Sequence, residues 1–191
     1  MLMKWYNEPP VWEQQESVIT VTAGAKTDFW RRTQYCIRDN GNFYYQEVTG
    51  DFTAQVKIIG NYQNSCDHAG LMIRIDEKTW LKSSIEFVND LHYVSAIVTH
   101  NDSKWSIVPL AQNPDCLWLR LQRRGDTVEV LYSLDGKDYI PLEVAYLTQQ
   151  PTVQVGLVCA CPQSDGFQVT FEDFQIHTHS SQPNSEIGFL N

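Results

Sequence analysis

Apolar and polar residues alternate along most of this chain. In the segment DFTAQVKII (51–59), apolar residues occupy the even-numbered positions and mostly polar residues lie between them. Successive side chains of a β-strand point to opposite faces of a sheet, so this alternation predicts a strand with one face in a core. The same pattern is found in SVITVTA (17–23), NFYYQEV (42–48), AGLMIRID (69–76), WLKSSIEFV (80–88), HYVSAIVTH (92–100), KWSIVPL (104–110), CLWLRLQRR (116–124), TVQVGLVCA (152–160) and GFQVTFEDFQI (166–176).

The spacing of these segments predicts an all-β domain. They give roughly ten to twelve short strands in close succession, which is typical of a two-sheet sandwich or jelly roll. In the segment 126–142, two alternating runs flank Asp135-Gly136, a dipeptide that favours a hairpin turn. The segment LEVAYLTQQ (142–150) alone is compatible with a short helical turn. Residues 1–178 are therefore predicted to form a single β-sandwich domain, followed by a mobile polar tail at 179–191.

The acidic composition bears on the partners of the protein. The formal net charge is −9 and the sequence pI is about 4.9. Nucleic acids and anionic membranes attract clustered Lys and Arg, so we expect neither as a partner. No stretch is apolar over the length of a bilayer, and the segment MLMKWYNEPPVWEQQ lacks the apolar centre of a signal peptide. We therefore expect a cytoplasmic protein.

The five cysteines are an odd number, and with no secretory signal this favours free thiols over a disulfide framework. Cys159 and Cys161 lie two residues apart in a predicted strand, so they point to the same face. They could form a metal or redox pair, but two small core residues are the favoured interpretation. Cys66-Asp67-His68 contains metal-ligating atoms without a second half at zinc spacing. We therefore expect no metal and no cofactor.

The polar side of several predicted strands mixes charges with tryptophans. A solvated sheet face is commonly Thr, Lys, Glu and Gln without further pattern. If the strands concerned are neighbours, these side chains form a polar groove with aromatic platforms, which suits a carbohydrate or another polyhydroxy ligand. The alternative is a cross-strand ladder of ion pairs with tryptophan covering the sheet. The candidate residues are Arg74, Asp76, Trp80, Lys82, Glu86, Trp118, Arg120 and Gln122.

A second candidate region is the turn-rich segment AKTDFWRRTQY (25–35), which is predicted to be a loop at a sheet edge. Exposed aromatic and charged residues of loops often bind ligands. We expect Asp28 and Trp30 to contribute to ligand binding, and Phe29 to close the end of the core.

A glycoside hydrolase would need two carboxyl groups on either side of the bond that it cleaves. The polar face offers Glu86 and Asp76, which come from different strands. Lys82 is near in sequence, and a lysine beside a carboxylate lowers its pKa, which suits a nucleophile and opposes a general acid. The pattern therefore favours binding over catalysis.

The chain resembles a known family in several segments at once. DHAGLMIRIDEKTWLKSSIEFVND (67–90) and LHYVSAIVTHNDSKWSI (91–107) resemble the domain-of-unknown-function family named after a fungal "regulation of enolase" protein, in the concanavalin A-like lectin/glucanase superfamily. The resemblance continues in KTDFW (26–30), YSLDGKDYIPL (132–142) and VQVGLVCACPQSDGFQVTFEDFQI (153–176), and spans about residues 5 to 178.

This resemblance implies a jelly-roll sandwich of two curved antiparallel sheets, with the ligand on the concave sheet. The superfamily's glucanases have a strand with paired acids, whereas Lys82 and Ser84 precede Glu86 here, so the resemblance does not imply glucanase activity. The positions that match the family's polar motif are Asp67, Gly70, Arg74, Asp76, Trp80, Lys82 and Glu86.

The sequence thus predicts a cytoplasmic, non-catalytic binding protein with a polar and aromatic concave face. Its ligand would be a carbohydrate or a sugar phosphate, and its role would be to regulate sugar metabolism. One alternative is a glycoside hydrolase that uses Glu86 and Asp76. Another is a protein-interaction module that engages a metabolic enzyme. In the leading hypothesis Arg74 and Lys82 contact anionic or hydroxyl groups, Asp76 and Glu86 accept hydrogen bonds, and Trp30, Trp80 and Trp118 stack on the ligand.

Overall fold

The structure of residues 2–179 is a computed structural model in which every regular element is a β-strand. No helix in this range is long and apolar enough to cross a membrane. The first sheet contains β1 (Lys4–Tyr6), β6 (Asn42–Thr49), β8 (His68–Arg74), β9 (Thr79–Val88), β10 (Leu91–His100), β11 (Asp102–Pro109) and β15 (Thr152–Ala160). The second contains β2 (Val11–Gln15), β3 (Val18–Thr22), β7 (Asp51–Gly60), β12 (Leu117–Arg124), β13 (Thr127–Ser133), β14 (Ile140–Tyr146) and β16 (Gln168–His179). A separate hairpin consists of β4 (Phe29–Arg32) and β5 (Cys36–Asp39).

The two large sheets form a sandwich. The strand order is β1-β6-β15-β8-β9-β10-β11 in the first sheet and β14-β13-β12-β7-β16-β3-β2 in the second, and all neighbours are antiparallel. The apolar side of each alternating strand points into the space between the sheets, as Val56, Leu71 and Leu119 illustrate. Each such buried side chain stabilises the fold by about 1.5–3 kcal/mol. The all-β sandwich predicted from the sequence is therefore confirmed.

The β4–β5 hairpin adds a third layer over the outer face of the first sheet. Phe29 of the hairpin packs edge-on against Trp80 of β9 at a ring-centroid distance of 6.4 Å, and both side chains are buried. Because of this layer, much of the outer face is a second apolar cluster and not a solvated surface. Its buried members are Phe29, Phe43, Tyr45, Met72, Trp80, Ile97 and Val158.

Side-chain contacts hold this hairpin in place. The Arg74 guanidinium donates to the Asp39 carboxylate at 2.7 Å. At the other end of the hairpin, Asp102 accepts from both the backbone N–H and the hydroxyl of Thr33 at 2.9 and 2.8 Å. A two-stranded hairpin is marginal by itself in water, so these contacts and the apolar cluster account for its order.

The structure differs from the sequence-based expectations in several segments. The expected loop at 25–35 contains β4, because Phe29 finds a buried position against the first sheet. The helical turn with which 142–150 is compatible does not form over 142–146, since these residues belong to β14 and 143–146 pair with β13. Strands β1, β2 and β5 were not expected. The tail predicted at 179–191 lies outside the described residues from 180 onward, and residue 179 ends β16.

Two local predictions are confirmed. Asp135-Gly136 is a turn between β13 and β14, where Gly136 adopts a φ of 74° and the Asp135 carboxylate accepts from the backbone N–H groups of Lys137 and Asp138. No disulfide joins the five cysteines, all of which lie within residues 2–179. Cys159 and Cys161 are both buried, in agreement with the interpretation as core residues.

Candidate functional site

A cavity of about 330 Å³ opens between the β4–β5 hairpin and the outer face of the first sheet. We call it the inner cavity. The sheet register explains why its side chains meet, because His68 of β8 lies opposite Glu86 of β9. In the same sheet, Lys82 lies opposite Ile97, which lies opposite Trp105 of β11. The inner cavity is lined by Asp28, Trp30, His68, Lys82, Glu86 and Trp105, among others.

The Lys82 ammonium group is buried and fully hydrogen-bonded. It donates to the backbone carbonyl of Phe29 at 3.0 Å and to a carboxylate oxygen of Asp28 at 3.3 Å. The third contact is to His68 Nε2 at 2.9 Å. An ammonium group has three hydrogens, and these three partners use all of them. Lys82 therefore ties the hairpin to the sheet and has no hydrogen left for a ligand.

His68 is a neutral acceptor in this network. Its Nδ1 lies 2.8 Å from the carbonyl oxygen of Cys66, so Nδ1 carries the proton and Nε2 accepts from Lys82. Burial, followed by the nearby Lys82 charge, lowers the pKa of His68 to about 4. The imidazole is thus uncharged at neutral pH, and it orients the lysine by a hydrogen bond.

Asp28 remains ionised although burial opposes its charge. Desolvation raises the pKa of this carboxyl group, but the charge of Lys82 and the hydrogen bond that Lys82 donates outweigh it, and the net pKa is lowered. Asp28 therefore neutralises Lys82 and closes the network at the hairpin side.

Glu86 differs from Asp28 in its environment. Burial and the negative charge of Asp28 raise the pKa of Glu86, and Lys82 together with hydrogen bonds from Ser95 and Trp105 offsets this only in part. A carboxylate offers about four acceptor positions, and these contacts do not occupy all of them. Glu86 lines the inner cavity and can accept hydrogen bonds from a hydroxyl-bearing ligand.

Two tryptophans form walls of the inner cavity. Trp30 of β4 is half-buried, and Trp105 of β11 is 43% exposed. Both rings can offer a face to an apolar ligand surface while polar groups contact its hydroxyls. Arg38 of β5 lines the same cavity and donates to the carbonyl oxygen of Pro162 at 3.3 Å.

Three residues predicted on this face are placed differently. Trp80 is 1% exposed beneath the hairpin, so the expected stacking on a ligand is wrong. Arg74 lies under the Tyr6 ring at 4.5 Å and pairs with Asp39, outside the inner cavity. Asp76 lies in the exposed turn between β8 and β9, where it accepts from the backbone N–H of Lys78. The proposed carboxyl pair of Asp76 and Glu86 is therefore not brought together.

Trp118, Arg120 and Gln122 lie on β12 in the second sheet, so the expectation of one shared face is wrong. Their side is internally paired. The Arg120 guanidinium lies 3.6 Å from the ring centroid of Tyr139 and donates to Gln55. The Lys57 ammonium lies 5.5 Å from the ring centroid of Trp118. This side resembles the alternative interpretation, although cation–π and amide contacts predominate and the ion pair is that of Lys57 with Glu172.

The sequence did not identify His68, Trp105 and Arg38 as members of the site. Alternation places His68 on the side of Arg74, whereas it groups Trp105 with the apolar Ile107. Only the register brings both side chains next to Glu86 and Lys82. Arg38 is reached only because the hairpin folds over the sheet. Within residues 2–179, no group of three or more His, Cys, Asp or Glu side chains could hold a metal ion.

Comparison with known proteins agrees with the sequence resemblance. A family described as "Protein of unknown function (DUF1349)" matches residues 5–179. "Regulation of enolase protein 1" of Saccharomyces cerevisiae is 33% identical over 173 residues, which cover 90% of this chain and 87% of the relative. A crystal structure of a functionally unknown protein from the same yeast matches with a TM-score of 0.89 and 32% identity, over 93% of this chain and 97% of that one.

A more distant likeness concerns the fold alone. The carbohydrate-binding module CBM66 from Bacillus subtilis matches with a TM-score of 0.58 at 15% identity, over 91% of this chain and 95% of that one. The fold is accordingly the jelly-roll β-sandwich that the motifs implied. With its family model spanning nearly the whole chain, the protein belongs to the DUF1349 family, whose function is unknown.

Proposed function

We propose that this chain is a non-catalytic binding protein whose inner cavity holds a carbohydrate-like ligand. The observation that carries the proposal is the position of Glu86, which keeps free acceptor capacity beside Trp30 and Trp105. A sugar ring has apolar C–H faces for the indoles and hydroxyl groups for a carboxylate. The fold of CBM66 is that of a carbohydrate-binding module, which supports the same class of ligand.

Catalysis is disfavoured by the environment of the second carboxylate. The pKa of Glu86 is raised and that of Asp28 is lowered, which is the pattern of an acid and base pair. However, Asp28 is held by the Lys82 ammonium. A nucleophile or base in that position would have to give up the contact that neutralises a buried lysine, which is costly. We therefore favour holding a sugar over cleaving one.

A regulatory role in the cytoplasm completes the proposal. The yeast relative carries the name "Regulation of enolase protein 1". By analogy, binding of a sugar ligand would modulate how this chain engages a metabolic enzyme. Purified enolase, titrated by calorimetry with and without the best sugar ligand, tests this part. Identical affinity in both titrations would refute ligand-dependent regulation of enolase, while leaving sugar binding itself intact.

The binding proposal is tested with a panel of monosaccharides and sugar phosphates, followed by tryptophan fluorescence and calorimetry. We expect Glu86→Gln and Trp105→Ala to weaken binding by about tenfold or more, because each removes a ligand contact. Glu77→Gln is the matched control, since Glu77 is exposed in the turn after β8. The proposal fails if no member of the panel binds, or if the control loses as much affinity as Glu86→Gln.

The same samples separate binding from hydrolysis. Chromogenic glycosides incubated with the wild-type protein are expected to release no product above the rate of the Glu86→Gln variant. Product formation that disappears in Glu86→Gln would establish an enzyme and overturn the non-catalytic proposal.

A further inference from the structure

A second depression of about 570 Å³ adjoins the inner cavity. We call it the outer groove. It lies between the turn of the β4–β5 hairpin and the start of β11. Trp30 and Trp105 line both depressions, so one ligand can extend from one into the other. The outer groove is lined by Arg32, Tyr35, Asp102 and Lys104, together with the two shared tryptophans and others.

The outer groove has a positive character although the chain is acidic, with a net charge of −9. Arg32 and Lys104 are exposed, and in the part of the chain that the structure describes neither has a carboxylate within ion-pair distance. The acid of the groove, Asp102, is already engaged by the backbone N–H and hydroxyl of Thr33. Two cations therefore face one acid in this lining, which gives the outer groove a formal charge of +1.

The inner cavity has the opposite property. Its buried cation, Lys82, has given all three hydrogens to protein acceptors. Glu86 lines the same space and would repel an anion when ionised. The four charged side chains of the inner cavity, Asp28, Glu86, Lys82 and Arg38, sum to a formal charge of zero, so a neutral hydroxyl-bearing ring is favoured there over an anionic group. The inner cavity therefore favours the neutral part of a ligand, and the outer groove favours its anionic part.

We propose that the ligand is a sugar with an anionic substituent. Its ring lies in the inner cavity between Trp30 and Trp105, and its anionic group lies in the outer groove against Arg32 and Lys104. This inference rests on the proposed function, because it assumes that the inner cavity holds a sugar. It adds the charge class of the ligand and the residues that select it. Cationic side chains bind phosphate and carboxylate oxygens by charge-assisted hydrogen bonds.

The test compares matched ligands by calorimetry: glucose with glucose 6-phosphate, fructose with fructose 6-phosphate, and glucuronate as the carboxylate arm. We expect at least one phosphorylated or carboxylated sugar to bind about tenfold tighter than its neutral counterpart, because hydrogen bonds to charged groups are the stronger ones. Its affinity should fall as salt rises from about 0.01 M to about 0.15 M, while that of the neutral sugar should not. The arm with the larger gain identifies the anion.

The double variant Arg32→Gln/Lys104→Gln should remove the advantage of the anionic sugar and leave the affinity for the neutral sugar unchanged. The double variant Arg124→Gln/Lys137→Gln is the control, since it makes the same charge change at exposed positions of the second sheet and its turn. If both double variants lose affinity for the anionic sugar equally, the net charge of the protein explains the effect and the inference is overturned.

The outcomes separate the two proposals. If neutral and anionic sugars bind equally and Glu86→Gln abolishes both, the sugar site stands and the charge inference is refuted. If no sugar binds at all, the sugar site itself is refuted and the inference falls with it.

Discussion

The Lys82 ammonium and His68 Nε2 lie 2.9 Å apart beneath the β4–β5 hairpin, with both side chains almost completely buried. The neutral imidazole accepts, the ammonium donates, and Asp28 supplies the balancing charge from the hairpin. Through these contacts the lysine links the hairpin layer to the first sheet.

Replacement of the lysine should loosen the hairpin. In Lys82→Met, the Asp28 carboxylate loses its partner while the space is still filled. We expect the free energy of unfolding to fall by about 3 kcal/mol, because removal of one partner of a buried pair leaves the other charge unpaired. Urea unfolding measures the change, with Lys78→Met as an exposed control within about 0.5 kcal/mol of wild type. If Lys82→Met lowers the free energy of unfolding no more than the control does, Lys82 does not hold the hairpin to the sheet.

Stability should fall as the pH decreases from about 6.5 to about 4, because the pKa of His68 is lowered to about 4 in the folded state. In this window the unfolded chain binds a proton at this residue and the folded chain does not, so acid favours unfolding. The full contribution is on the order of 3 kcal/mol. The raised pKa of Glu86 acts in the opposite direction, and the lowered pKa of Asp28 acts at lower pH.

The variant His68→Gln isolates this contribution, since its amide can still accept from Lys82 but does not titrate. Urea unfolding of both proteins at intervals between these pH values should give curves that converge at low pH. The lowered pKa of His92 is present in both proteins and cancels in the difference. Parallel curves would show that His68 does not titrate as stated.

The Arg74–Asp39 pair should matter more than an exposed ion pair. Its side chains are 7% and 22% exposed, whereas those of Lys26 and Asp165 are 59% and 93% exposed. We expect Asp39→Ala to cost about 3 kcal/mol, because it leaves a buried guanidinium unpaired, and Asp165→Ala to cost less than about 1 kcal/mol. Thermal or urea unfolding compares the two. If both variants lose the same free energy of unfolding, water reaches the Arg74 guanidinium and the pair behaves as an exposed one.

The free thiols should react in the order of their exposure. Cys36 is exposed, Cys66 is half-buried, and Cys159 and Cys161 are buried. Burial also raises the pKa of the Cys159 thiol well above its ordinary value, which suppresses the reactive thiolate. We expect a thiol reagent to modify Cys36 first and the buried pair only in denaturant, as read by peptide mass mapping. Native labelling of Cys159 at the rate of Cys36 would contradict this placement.

The same labelling reports on the inner cavity, because Cys36 and Cys66 both line it. A bound sugar should slow the modification of Cys66 and leave that of Cys116 unchanged. Unchanged rates at saturating ligand would place the sugar elsewhere.

The strands of the two large sheets were predictable because alternation is a local property of the sequence. The hairpin strands Phe29–Arg32 and Cys36–Asp39 carry no such alternation, since their burial depends on a sheet far away in sequence. For the same reason Trp80 was placed correctly on the side of Lys82 but wrongly at the surface. Alternation tells which side of a sheet a residue occupies, and it does not tell whether another layer covers that side.

The candidate site was predictable only in part. Lys82, Ser84 and Glu86 follow one another at intervals of two residues, so their common face follows from the sequence. The inclusion of Trp118 failed because the assignment of a strand to one of two sheets depends on contacts between distant segments. His68 entered the site through the register of β8 and β9, which the hydrophobic pattern alone did not give.

The layered position of the β4–β5 hairpin couples the site to a local opening of the chain. Asp28, Trp30 and Arg38 come from this segment. If the hairpin detached from the first sheet, the inner cavity would lose one of its walls while the sandwich stayed intact. Segments of this kind exchange their amide hydrogens through openings that are less costly than global unfolding. A ligand that touches Trp30 and Trp105 together binds only the closed state, and its binding energy is therefore added to the protection of the hairpin amides.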